Sequence, residues 1–125
     1  MKNFMESGRI LYGGDYNPEQ WLDRPDILAE DVERFKEAHV NVVSMGIFSW
    51  AALEPEEGIF DFSWLEERIN TLYDNGIYTL LATPSGSRPR WLADAYPEVL
   101  RVDDKGVRDR YGMSHNHCYT SPKNR

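Results

Sequence analysis

Two stretches of the sequence concentrate aromatic, carboxylate and amide side chains. The first is residues 13–21 (GGDYNPEQW), and the second is residues 46–62 (GIFSWAALEPEEGIFDF). Each begins where an apolar strand would end, and each places aromatic, carboxylate and amide groups in the loop that follows. Because the site of a (β/α)8 barrel is built from loops at the carboxyl ends of the strands, this layout is typical of a sugar-binding barrel rim.

Carboxylates in these loops are candidates for acid/base or nucleophilic chemistry. A retaining glycosidase needs two carboxyl groups roughly 5 to 5.5 Å apart, one as nucleophile and one as acid/base. The loop carboxylates are Asp15, Glu19, Glu54, Glu56, Glu57 and Asp61. For Asp15 and Glu54 we favour a structural role, in which each side chain caps neighbouring backbone and pairs with an arginine at the rim.

Tryptophans are the second group of candidates, since an aromatic face suits the apolar C–H face of a pyranose. The sequence contains four: Trp21, Trp50, Trp64 and Trp91. We expect Trp64 and Trp91 to lie in the core. For Trp50, at the end of the second predicted strand, lining a pocket and packing remain equally open, and Phe48 is a weaker candidate of the same kind.

The cluster His115, His117 and Cys118 contains natural zinc ligands. A closed zinc site needs four ligands, and this cluster supplies three at most, two of them adjacent in sequence. For Cys118 we therefore favour a buried thiol that packs as a small apolar side chain.

Alternating strand and helix patterns must position these groups. The predicted strands are Arg9–Gly14, Val40–Ile47 and Ile77–Ala82, and the latter two read as apolar runs buried on both faces. One helix is predicted from Asp26 to Ala38 and ends at His39, a residue that tolerates positive φ better than most. A second helix is predicted to start with a capping box formed by Ser63 and Glu66, and to stop at Asn75-Gly76.

This order of elements indicates an α/β fold with parallel strands in chain order. A closed barrel of this kind needs eight strands and typically about 250 residues. The third strand would therefore keep an open edge, which favours pairing with another chain. We expect an incomplete barrel that self-associates.

The two stretches resemble the opening of a bacterial β-galactosidase of glycoside hydrolase family 42, and the resemblance extends from Ile10 to Pro122. It implies the N-terminal three βα units of a TIM barrel, with residues 1–125 as the N-terminal segment of the catalytic domain, truncated before strand four. The implied activity is hydrolysis of terminal non-reducing β-D-galactose with retention of configuration. Two alternatives stay open: a non-catalytic fragment or association partner of a split barrel, and a barrel glycosidase acting on another sugar.

The resemblance assigns no catalytic residue to this chain. In the family the acid/base is a glutamate preceded by asparagine after the fourth strand, and the nucleophile is a glutamate after the seventh. The sequence contains no Asn-Glu dipeptide. The resemblance therefore implies that the isolated chain is inactive.

Two positions near the end depart from the family pattern or depend on residues outside the chain. Ser114 stands where the family usually has an arginine that hydrogen-bonds galactose, and a hydroxyl is a weaker partner than a guanidinium fork. Cys118 corresponds to one of four zinc-binding cysteines in many members, the other three lying downstream. No cofactor is expected in this chain, and zinc is expected only in full-length relatives.

The composition restricts the partners of the chain. A net charge of −7 and a pI near 4.9 disfavour nucleic acid, whose binding depends on clustered basic residues. Residues 1–7 lack the apolar core of a signal peptide, and no run of ~20 apolar residues occurs. The single cysteine rules out an intrachain disulfide. We expect a cytoplasmic protein that does not bind membranes.

Overall fold

The computed structural model describes residues 8–113 and 116–124 of the chain. The described residues fall into two units. The first comprises the described residues within 8–46 and 62–83, and the second those within 47–61, 84–113 and 116–124.

A three-stranded parallel sheet is the centre of the first unit. Its strands are β1 (Gly13–Asp15), β2 (Val42–Met45) and β3 (Tyr78–Leu81), in the order β1-β2-β3. Both neighbouring pairs are parallel, and β2 lies in the middle. The prediction of adjacent parallel strands in chain order is confirmed, as the right-handed crossover rule requires.

The first strand is shorter and later than predicted, because a side chain replaces the backbone ladder before Gly13. The Asn41 side chain accepts a hydrogen bond from the Tyr12 N–H at 2.7 Å and donates one to the Ile10 carbonyl at 2.8 Å. These bonds satisfy the Tyr12 N–H and the Ile10 carbonyl, and a single backbone bond, from the Asn41 N–H to the Tyr12 carbonyl at 2.9 Å, accompanies them. The predicted start at Arg9 is therefore wrong, although the apolar residues Ile10 and Tyr12 do lie beside the sheet.

Two helices connect the strands of this unit: α1 spans Pro25–Glu37, and a second, labelled α3 in chain order, spans Ser63–Asp74. His39 follows α1 with a φ of 58°, and Gly76 follows α3 with a φ of 78°, so both chain reversals use the left-handed backbone that was predicted.

The start of α3 differs from the prediction by one residue. The helix begins at Ser63 itself, so that Phe62 holds the N-cap position. The Glu66 N–H donates to the Phe62 carbonyl at 3.0 Å and is thus already part of the helical ladder. The predicted capping box, in which Ser63 would be the cap, is wrong for this reason.

Burial is uneven across the sheet. In β2 the side chains of Val42, Val43 and Met45 are buried, as expected for a central parallel strand. In β3, by contrast, Leu80 is 43% exposed and Leu81 is 58% exposed. The prediction that β3 is buried on both faces is wrong: Leu80 and Leu81 are successive residues on opposite faces, so neither face is covered at this end of β3.

The second unit is built from short helices and loops. Its α-helices are α2 (Trp50–Leu53) and α4 (Arg90–Ala95), and a 3-10 turn follows α4 at Pro97–Val99. Its core contains the buried residues Leu92, Ala93, Val99 and Leu100, against which Trp50, Trp91 and Tyr96 pack. This unit carries the loop that follows β2 and the loop that follows β3.

Across the part of the chain that the structure describes, every helix is too short or too polar to cross a membrane.

Candidate functional site

The loop after β2 is organised by a buried carboxylate. Glu54 is 9% exposed, and its two oxygens accept hydrogen bonds from the Trp50 indole N–H at 2.7 Å and from the Gly58 backbone N–H at 2.9 Å. The Glu54 carbonyl accepts a third bond, from the Trp91 indole N–H, at 2.9 Å. Both carboxylate oxygens thus serve the architecture of the loop.

The structural role expected for Glu54 is confirmed in part. It does cap neighbouring backbone, at Gly58. Asp15, at the end of β1, accepts a hydrogen bond from the Ser44 hydroxyl of the adjacent strand. The prediction of arginine partners is wrong, since neither Asp15 nor Glu54 forms an ion pair within residues 8–113 and 116–124. Instead, Asp15 accepts from a hydroxyl and Glu54 from an indole N–H.

A buried arginine from the loop after β3 meets the aromatic residues of this unit. Arg88 is 4% exposed, and its guanidinium carbon lies 5.8 Å from the centroid of the Trp50 ring and 5.3 Å from that of Tyr119. Both distances fall within the range of cation–π attraction. Burial lowers the pKa of Arg88, but an arginine starts so high that it keeps its charge.

Residues 116–121, which we call the terminal segment, are fastened to the stretch after α4. The Cys118 N–H donates to the Val99 carbonyl at 2.7 Å, and the Arg101 N–H donates to the Asn116 carbonyl at 2.9 Å. His117 is 1% exposed. Burial first, and then the positive charge of Arg88, lower the pKa of His117, so its imidazole is neutral near pH 7.

Cys118 is half-buried and not fully buried as predicted. Its sulfur lies 3.1 Å from the Thr120 hydroxyl, and this hydrogen bond is the main cause that lowers the pKa of the thiol. The described residues include no group of three or more side chains that could hold a metal ion. Cys118 on its own does not form a zinc site, and no chemistry is assigned to a metal here.

The tryptophans occupy different environments. Trp91 packs against the core of the second unit but is half-buried, and Trp64 is half-buried too, so the prediction that both lie in the core is met only in part. Trp21 is 42% exposed. Trp50 packs beside the same core as Trp91, with its indole N–H bound to Glu54, and whether it also contacts a sugar stays a prediction.

Of the residues predicted to bind substrate or metal, Ser114 lies outside the described residues, as does the neighbouring His115. Arg88 was missed by the sequence analysis. Its position in the loop after the third strand, where barrel sites are built, could have pointed to it. Its burial beside Trp50 and Tyr119 could not be predicted, because those residues are distant in sequence.

The sequence matches a known family of proteins. The sequence profile of glycoside hydrolase family 42, described as beta-galactosidase, matches residues 15–125. Beta-galactosidase BglY of Alicyclobacillus acidocaldarius is 62% identical over 113 residues, which cover 90% of this chain and 16% of that protein.

Solved structures agree with this match. A beta-galactosidase from Rahnella sp. R3 superposes with a TM-score of 0.85 at 57% identity, covering 90% of this chain and 17% of that one. A catalytic mutant of Gan42B, a GH42 beta-galactosidase from G. stearothermophilus, gives a TM-score of 0.86 at 56% identity, covering 90% of this chain and 16% of that one.

The parallel strands and their connecting helices, together with these structures, define part of a TIM-barrel glycoside hydrolase. The chain belongs to glycoside hydrolase family 42. It spans 16–17% of the length of the relatives it matches. The family resemblance predicted from the two sequence stretches is confirmed.

Proposed function

We propose that residues 1–125 form the N-terminal segment of the catalytic barrel domain of a retaining β-galactosidase. The whole enzyme would hydrolyse terminal β-D-galactose residues from β-galactosides and so act in carbohydrate metabolism. This chain would supply the first three βα units and the rim loops after β2 and β3. The two catalytic glutamates would come from later strands.

The observation that carries the proposal is the family match over residues 15–125, with relatives named beta-galactosidases. The geometry supports it, because β1, β2 and β3 are parallel and in chain order, as the start of a barrel requires. The carboxylates Asp15 and Glu54 are held by structural hydrogen bonds, which supports a structural role for these two residues.

A chimera tests this function. This chain replaces the matching 113 residues of BglY, and the product is assayed on a nitrophenyl β-galactoside beside intact BglY. We expect the chimera to be active and the isolated chain to give no turnover above a mock preparation, since both carboxyl groups are needed. An inactive chimera beside active BglY would contradict the proposal, and so would turnover proportional to the concentration of the isolated chain.

A second candidate function is association with a complementary part of a barrel supplied by another polypeptide. The exposed edge strand β3, with Leu80 and Leu81, is the observation that favours it. The test mixes this chain with BglY lacking the matched residues. Recovery of galactosidase activity on mixing would support it, whereas activity seen only in the covalent chimera would exclude it.

We further propose a cytoplasmic location and no nucleic-acid partner. The single cysteine of the sequence and the net charge of −7 support these two statements. Fractionation of the native host with an antibody to the chain would test the location.

A further inference from the structure

The side chain of Arg88 is buried to an extent that is rare for arginine, and it contacts two aromatic rings. Only 4% of the residue is exposed, and the ring centroids of Trp50 and Tyr119 lie 5.8 and 5.3 Å from the guanidinium carbon. Buried arginines are seldom found without specific partners. A planar, weakly hydrated guanidinium can rest on an aromatic face, which a compact and strongly hydrated ammonium does less well.

The backbone around Arg88 is fixed on both sides. Ser87 has a φ of 47°, in the left-handed region that residues with a side chain rarely adopt. Pro89, which follows, is buried at the start of α4. The Arg88 carbonyl accepts a hydrogen bond from the Tyr111 hydroxyl at 3.2 Å. An unusual conformation kept in place by several contacts is a reason to ask what function it serves.

The contacts of Arg88 join three stretches of the second unit. Trp50 belongs to the loop after β2, Arg88 to the loop after β3, and Tyr119 to the terminal segment. The two loops are also tied directly, since the N–H groups of Ser85 and Gly86 both donate to the Ile47 carbonyl at 3.0 Å. These loops follow the carboxyl ends of parallel strands, where the rim of a barrel site forms.

We propose that Arg88 is a positioning residue for the sugar-binding rim, acting through its contacts with Trp50 and Tyr119. The inference rests on the proposed function and adds to it a residue that does not touch the substrate. Loss of the guanidinium would let the two aromatic residues shift, and small displacements at a rim are felt strongly in turnover.

The experiment uses the chimera with BglY and compares Arg88→Met, Arg88→Lys and Arg90→Met. Arg90 is the matched control, because it is two residues away, its side chain is 76% exposed, and it forms only a surface ion pair with Asp94 at 3.1 Å. We expect Arg88→Met to lower kcat/KM by about tenfold or more and Arg88→Lys by less, with Arg90→Met within about twofold of the parent.

Two readouts separate positioning from a loss of folding. The first is the inhibition constant of free galactose, measured well below the temperature of inactivation, which should rise with KM in the Arg88 variants. The second is the pair Tyr119→Phe and Tyr119→Leu: the first removes only the hydroxyl that hydrogen-bonds Arg88 and should lose less turnover than the second, which also removes the ring. Combining Tyr119→Leu with Arg88→Met should cost little more than either change alone, because both act through one contact.

The outcomes are distinct. An inactive parent chimera beside active BglY overturns the proposed function and this inference with it. An active chimera in which the folded Arg88 variants keep kcat/KM and galactose inhibition, losing only heat resistance, overturns this inference alone. If Arg88→Met yields no folded protein, the milder Arg88→Lys and the Tyr119 pair decide the question by the same criteria.

Discussion

Glu54 has the residue type of a catalytic carboxylate but a structural role. Its carboxylate lies in a glutamate-rich loop, yet both oxygens are occupied by N–H donors of Trp50 and Gly58. The two hydrogen bonds hold the carboxylate in place, and the carboxylate in turn links Trp50 to Gly58 within the loop. The residue therefore determines the shape of the loop.

The variant Glu54→Gln should destabilise this loop. A glutamine offers one oxygen, so its amide group would face one of the two part-buried N–H donors, at a cost of about 1 kcal/mol. Glu56→Gln, an exposed neighbour, is the control. The temperature at which the chimera loses half its activity on heating should fall for Glu54→Gln only. Equal values for the two variants would contradict this account.

Ser114 supports a prediction that comes from the family resemblance alone. If the position faces galactose, Ser114→Arg in the chimera should improve kcat/KM by about tenfold to a hundredfold, since a hydrogen bond to a charged group contributes about 1.5–3 kcal/mol. Ser114→Lys brings the charge without the planar fork and should gain less. An unchanged or lower kcat/KM for the arginine variant would place residue 114 away from the sugar.

At the scale of elements, strand β1 depends on a glycine. A β-carbon built on Gly13 would collide with the Val42 carbonyl oxygen of the adjacent strand, whereas one built on Gly14 would meet nothing within 4 Å. The two glycines that end the predicted strand are therefore not equivalent. Gly13 permits the close approach of β1 to β2.

This difference predicts opposite results for two otherwise similar variants. Gly13→Ala should cost about 1–3 kcal/mol through overpacking against a backbone atom that cannot move freely. Gly14→Ala should cost little or nothing, because its added β-carbon meets nothing within 4 Å. The two changes affect the unfolded chain alike, so the difference reports the folded state. Heat inactivation of the two chimeras measures the difference in stability. Similar inactivation temperatures would contradict the prediction, because they would show that β1 can shift without loss of stability.

At the scale of the whole molecule, the chain exposes apolar side chains before β1 and in β3. Ile10 is 89% exposed, Tyr12 61%, Leu80 43% and Leu81 58%. Apolar residues beside an edge strand favour association between chains. The net charge of −7 opposes it, but surface charge is screened at ordinary salt.

We expect the isolated chain to self-associate in a concentration-dependent way. Leu81→Asp, on the edge strand, should shift the mass measured by light scattering after size-exclusion chromatography towards that of a monomer. Val107→Asp is the matched control, since it adds the same charge at a residue 61% exposed in the second unit. A compact monomer with a cooperative thermal transition for the unmodified chain would contradict the prediction.

Much of the fold could be predicted from the sequence, because the signals are local. The apolar run at Val42–Met45 and the helical spacing within α1 each lie inside one element, and right-handed crossovers leave few ways to order the strands. Strand ends were less predictable. At β1 the replacement of a backbone ladder by the Asn41 side chain depends on a contact 29 to 31 residues along the chain.

The sequence by itself determined the family, the order of the strands and the absence of an Asn-Glu pair, since each depends on short stretches of the chain. Only the tertiary structure decided that β3 is exposed, that Glu54 binds an indole and a backbone N–H, and that Arg88 is buried against two rings. The physical reason is that burial is a property of packing between distant segments. A charged residue is placed inside a protein only by the partners that surround it there.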